Sequence, residues 1–183
     1  MTALWALIAV CVVMYLATLA VPSLVGRLGL APAIIADRPW TIITAIFIHG
    51  SIWHLLFNMV ALFFFGRYAS LLLGDVWFTA AFLIGGICGN LLYLALGPPF
   101  SIVIGASGAI FALGGVLAVM RPRLSVFVFP IPVPLPLWAA VVIGFLVVSV
   151  FPGVAWQAHL GGLASGVVMG YFFRRRERTF RRY

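Results

Sequence analysis

The amino-acid sequence predicts an all-α membrane protein, a bundle of six transmembrane helices, and three observations carry that expectation. Of 183 residues, 65% are hydrophobic and 8% charged, and mean hydropathy is +1.24. A soluble domain lacks the polar surface to cover so much apolar side chain. The apolar residues form six segments separated by glycine, proline or arginine. Six of the eleven arginines lie in the last ten residues, and there is no lysine. A net charge of +8 placed in that way predicts contact with the anionic inner face of a lipid bilayer and no nucleic-acid partner. Cys11 and Cys88 each sit inside an apolar segment, so free buried thiols are expected and no disulfide framework.

Residues 3–25 are uncharged and long enough to cross about 30 Å of hydrocarbon at about 1.5 Å per residue. No basic residue precedes Arg27, which reads against a secretory signal peptide and for a first span. Residues 26–40 contain Arg27, Asp37 and Arg38 with the breakers Gly29, Pro32 and Pro39, so a loop is expected, with Trp40 in the interfacial belt. A second helix follows over residues 41–66, carries His49, His54 and Asn58, and ends at Arg67. The third covers residues 76–96, between Gly74-Asp75 and Gly97-Pro98-Pro99. The fourth covers residues 102–120 and is closed by Arg121-Pro122-Arg123. Alternate prolines from Pro130 to Pro136 deny a helix and predict an extended apolar connector. A short fifth helix over residues 137–151 stops at Pro152-Gly153, and the sixth covers residues 155–173. Residues 1–173 thus read as one membrane domain and residues 174–183 as a basic cytoplasmic tail.

Arginine placement sets the orientation. With the tail in the cytoplasm, six spans put the N-terminus there too. Arg67, Arg121, Arg123 and the six tail arginines then lie inside, and only Arg27 and Arg38 outside, as the positive-inside rule asks. The expected location is the cell membrane, as a multi-pass protein with both termini cytoplasmic. Arginine also supplies a ruler for depth. Ser107 lies 14 residues before Arg121, His159 15 before Arg174, and His54 13 before Arg67. At 1.5 Å per residue all three sit about 20–22 Å above the inner boundary. Asn58 lies one turn below His54 on the same face. Polar groups at that depth are costly and are expected to face inward and meet one another or water.

The stretch Gly105-Ala106-Ser107-Gly108 permits two readings. Small residues let membrane helices approach, and Gly162, Gly166 and Gly170 at four-residue spacing offer a stripe to Gly108, Ala112 and Gly115. A serine among small neighbours is also a nucleophile that a substrate backbone can reach. Packing alone has no use for imidazole, so Ser107 with His159 favours the second reading, with histidine as the base. Asp37, Asp75 and Glu177 fall in loops or the tail, so a Ser–His dyad is expected rather than a triad. His54, Asn58 and the Ser107 backbone N–H are the donors available for a developing oxyanion. His49 and His54 are five apart, about 140° around a helix, and no His-Glu-x-x-His occurs, so neither a metal nor another cofactor is expected.

The run Trp40-Thr41 to His49, with His54-Leu55-Leu56-Phe57-Asn58, resembles the second helix of rhomboid intramembrane serine proteases. Gly105-Ala106-Ser107-Gly108 resembles their GxSG motif, and Ala158-His159 with Gly162 their AHxxG motif. The order and the six-span frame match as well, so the resemblance covers the chain as a minimal rhomboid-like bundle. It implies Ser107 as nucleophile and His159 as general base. It also implies an oxyanion site of His54, Asn58 and the Ser107 amide, with His49 structural beside the loop after the first helix. Single-span membrane proteins are the implied substrates, reaching the site past the fifth helix and the loop before the sixth. Three departures stand out: Thr41 where the family often has Arg, Ser70 where it often has Glu, and Phe111 where some members have Tyr. Phe111 is expected to stack on His159 without donating a hydrogen bond. A catalytically inactive rhomboid-like protein that guides membrane clients is the main rival, and it is expected to lack Ser107 or His159. A transporter would favour intramembrane carboxylates, which the sequence lacks. Oligomeric state is not legible in the sequence.

Overall fold

The computed structural model describes residues 1–128 and 132–180. Within the described residues eight α-helices run in the order α1 (Thr2–Ala20), α2 (Ser23–Leu28), α3 (Thr41–Thr44), α4 (Ile52–Leu73), α5 (Asp75–Leu96), α6 (Ser107–Met120), α7 (Leu137–Ser149) and α8 (Trp156–Phe180). Short 3-10 turns occupy Pro32–Ile34 and Ala45–Phe47. The strands β1 (Ser125–Val126) and β2 (Leu135–Pro136) pair antiparallel ahead of α7. Part of the proline-alternating connector, residues 129–131, lies outside the described residues, as do residues 181–183 of the tail. By length and composition α1, α4 and α5 are able to cross a membrane; α6 and α7 are apolar but shorter.

Helix α6 is the centre of the bundle. Ten of its fourteen residues are buried, from Gly108 and Ala109 down to Leu117 and Met120, as a helix apolar on all sides requires. It packs most extensively on α8, then on α5, with α4 and α7 on its other flanks. Glycine sets the closest approach. A Cβ on Gly162 would overlap the backbone of Gly108, and one on Gly166 the backbone of Ala112. The small-residue stripe of the sixth helix therefore does meet the small face of the fourth, backbone against backbone.

Five expected boundaries are corrected. The second helix does not run unbroken from residue 41. Helix α3 and a 3-10 turn end at Ile48, whose backbone is extended. Helix α4 then starts at Ile52, because the Ser51 side chain accepts from the His54 N–H and caps it. His49 consequently lies in a break and not on a helix. The fourth helix starts at Ser107 and not at 102. Ile102-Val103-Ile104 is β-branched and extended, and Val103 exchanges backbone hydrogen bonds with Leu30 at 2.8 and 3.0 Å. The first helix ends at Ala20 rather than 25, and α2 is a separate turn. Arg67 and Arg174 do not end their helices: α4 continues to Leu73 and α8 to Phe180. Both arginines lie one to two turns before the end of their helix, so neither marks a boundary as the depth ruler assumed.

Two of the departing residues are anchored locally. Thr41 Oγ1 donates to Arg38 O at 2.6 Å, and Arg38 Nη1 donates to Gly26 O at 2.6 Å, closing the loop after α2. Ser70 Oγ donates to Asp75 Oδ1 at 2.5 Å across the Gly74 turn. Asp75 is the first residue of α5 rather than a loop residue, and it also receives the Met1 amino group at 2.6 Å.

Candidate active site

Ser107 is the first residue of α6. Gly105 precedes it with φ +118°, a backbone conformation that L side chains rarely adopt, and its N–H donates to Ala45 O at 2.9 Å. This turn carries the extended strand into the helix and leaves the first N–H groups of α6 without intrahelical partners. A Cβ on Gly105 would sit 2.6 Å from His54 Nε2, so glycine is what lets the His54 ring lie against the turn. Gly108 lies one residue past Ser107, with its Cα facing the Ala158 carbonyl of α8.

His159 comes from α8. The glycine contacts described above bring α8 so close to α6 that His159 Nε2 and Ser107 Oγ stand 2.7 Å apart. His159 is 7% exposed, and its Nδ1 has no hydrogen-bond partner among the described residues. For Nε2 to accept the serine proton, Nδ1 must carry the ring hydrogen. The ring is held by packing: the Phe111 ring lies 4.8 Å from it, centroid to centroid, at 41°. Phe111 does pack on His159 as expected, with the two rings tilted rather than stacked.

His54 and Asn58 line the same cavity as Ser107 and His159, a space of about 1,590 Å³. The Gly50 N–H points at His54 Nδ1 from 3.5 Å, and Nε2 is the nitrogen facing Gly105. Asn58 Nδ2 donates to His54 O at 2.8 Å, its own helix's carbonyl four residues back. An amide nitrogen carries two hydrogens, so one remains for the cavity. His49 is 1% exposed, with Nδ1 3.3 Å from Phe47 O. Its ring stands 5.0 Å from that of His54, edge on. The helical-wheel argument that keeps these two histidines apart therefore fails, because His49 is not on α4. Among the described residues no group of three or more His, Cys, Asp or Glu is placed to hold a metal ion. Gly162 supports the site from behind, against the Gly108 backbone.

Three positions are absent from the sequence reading. Phe145 of α7 packs edge-to-face on Phe111 at 5.8 Å, linking α7 to the His159 ring. Gln157 Nε2 donates to Leu96 O at 3.3 Å and ties the start of α8 to the end of α5. Asn90 Nδ2 donates to Ile42 O at 2.8 Å and ties α5 to α3. A lone amide in an apolar segment was the available signal for the last two.

Residues 36–176 match the rhomboid domain. The chain belongs to the rhomboid family. RHOMBOID-like protein 4 of Arabidopsis thaliana is 33% identical over 147 residues, which cover 80% of this chain and 37% of that protein. YdcA of Bacillus subtilis, whose name carries the word rhomboid, is 30% identical over 145 residues, covering 77% and 71%. Rhomboid-like protease 3 of Toxoplasma gondii is 30% identical over 149 residues, covering 79% and 56%. The chain thus spans under two-fifths of the Arabidopsis relative. It is a membrane-embedded all-α member of a family of intramembrane-protease type.

Proposed function

We propose that this rhomboid is an active intramembrane serine endopeptidase working through a Ser107–His159 dyad. The observation that carries the reading is the 2.7 Å contact between Ser107 Oγ and His159 Nε2 on the wall of a large cavity. Ser107 Oγ attacks the peptide carbonyl carbon while its proton passes to His159 Nε2. The carbonyl oxygen becomes an oxyanion and takes hydrogen bonds from the Ser107 N–H, His54 Nε2–H and Asn58 Nδ2–H. Collapse breaks the C–N bond, and His159 returns the proton to the leaving amine. Water, deprotonated by His159, then releases the acyl group from Ser107. Among the described residues no carboxylate bonds His159, and the Phe111 ring packed on it at 41° holds it in place.

The substrates of this reading are single-span membrane proteins cut in or beside their transmembrane segment. The groove between α4 and α7 supports this. It is walled by apolar side chains such as Phe57, Val60, Phe64, Val141 and Val148, and leads to the four polar residues. We further assign α1, α4, α5, α6, α7 and α8 as the six spans of one membrane domain. The basic end of α8 then lies in the cytoplasm with the N-terminus. The retained dyad speaks against the client-guiding alternative. The test is cleavage of a single-span reporter in liposomes. Wild-type protein is expected to cut it, and Ser107→Ala and His159→Ala to lose about a thousandfold or more of the rate. Undiminished cleavage by Ser107→Ala would remove the assignment.

A further inference from the structure

At the end of the bundle away from Ser107, a second concavity of about 490 Å³ lies among Tyr68 of α4, Met120 to Leu124 at the end of α6, and Arg174 of α8. Three arginines line it. Arg121 is bound bidentately by Glu177, at 2.7 and 2.9 Å. Arg174 Nη1 donates only to a carbonyl, Val119 O, at 3.2 Å. Neither Arg174 nor the exposed Arg123 has a carboxylate partner among the described residues. The other acid at this end, Asp75, is occupied by the Met1 amino group and Ser70. Two guanidiniums without a carboxylate partner among the described residues thus line one hollow, whereas Met120 and Leu124 make part of its wall apolar.

We infer that this hollow binds the phosphodiester headgroup of an anionic membrane lipid. Guanidinium forks match two oxygens of a phosphate, and Arg123 and Arg174 present two of them. The hollow opens at the end of the bundle, at the level where headgroups lie beside the helices. Its apolar wall distinguishes a lipid from free phosphate. An acyl-linked glycerol covers Met120 and Leu124, and a hydrated inorganic anion leaves them bare. The bound headgroup would join α6 to α8 beside the Arg121–Glu177 pair.

The test uses the full chain in detergent, with short-chain phosphatidylglycerol and phosphatidylcholine titrated by native mass spectrometry. Phosphatidylglycerol is expected to bind about tenfold to thirtyfold tighter, the scale that two arginines near a membrane surface supply. Arg123→Ala with Arg174→Ala is expected to abolish the preference, and Arg67→Ala with Arg175→Ala, which removes equal charge outside the hollow, to retain it. Arg123→Gln alone touches an exposed residue and is expected to lose about fivefold, which keeps the test decisive if the double variant fails to fold. Equal loss in both double variants would show diffuse attraction and overturn the inference. So would displacement of the lipid by inorganic phosphate at matched concentration, which would mark a free-anion site.

Discussion

Ser107 and His159 lie 52 positions apart in the sequence, yet 2.7 Å separates their reacting atoms. Their pairing was legible because a serine among small residues and an imidazole occur in otherwise apolar segments, where packing alone has no use for imidazole. His54 and Asn58 were legible by their spacing. What was not legible is how Gly105 serves His54. That depends on a positive φ and a ring packed against the turn, and neither leaves a trace in periodicity. Gly105→Ala is therefore expected to cost about 1–3 kcal/mol in stability and most of the turnover, read by thermal melting and reporter cleavage. His54→Ala and Asn58→Ala are expected to lower turnover roughly tenfold to a thousandfold while the protein stays folded. Unchanged rates would take both out of the site. His49, buried against His54 and outside the cavity wall, is expected to act on stability. His49→Ala should lower the melting temperature by roughly 5 °C or more, and normal melting with lost turnover would move His49 into the chemistry.

Helices α6 and α8 are the elements on which the site depends, because backbone-to-backbone contact is what sets the serine–histidine distance. Gly162→Ala is expected to push them apart and to lower both melting temperature and cleavage. Gly26→Ala, where a Cβ meets nothing within 4 Å, is expected to leave both intact. Equal behaviour of the two variants would separate the close approach from the site. The stripe on α8 was readable as four-residue spacing. The element boundaries were less so, for identifiable reasons. Hydropathy does not distinguish the extended Ile102-Val103-Ile104 from helix, although three β-branched residues before a glycine carried the signal. Likewise His49-Gly50-Ser51 is too short a polar dip to divide an apolar segment by hydropathy, and the capping serine is what announces that α4 begins there. The phenylalanine contact from α7 to Phe111 had no sequence signal, since aromatic residues are common throughout the chain.

With six spans, the sequence puts nine of the eleven arginines on one side and Arg27 and Arg38 on the other. That asymmetry belongs to topology more than to fold. Phe100 and Leu124 are both exposed, one in the loop ahead of Ser107 and the other past the end of α6. With a membrane-impermeant maleimide on intact cells, Phe100→Cys is expected to react directly and Leu124→Cys only after permeabilisation. The reverse pattern would invert the orientation. Above all, the bundle exists in this account to keep one serine reactive within a membrane. A fluorophosphonate probe on folded wild-type protein, with the labelled peptide identified by mass spectrometry, addresses that most directly. Labelling is expected at Ser107 alone and is expected to vanish in His159→Ala. Folded protein that stays unlabelled, or that is labelled elsewhere, would contradict it.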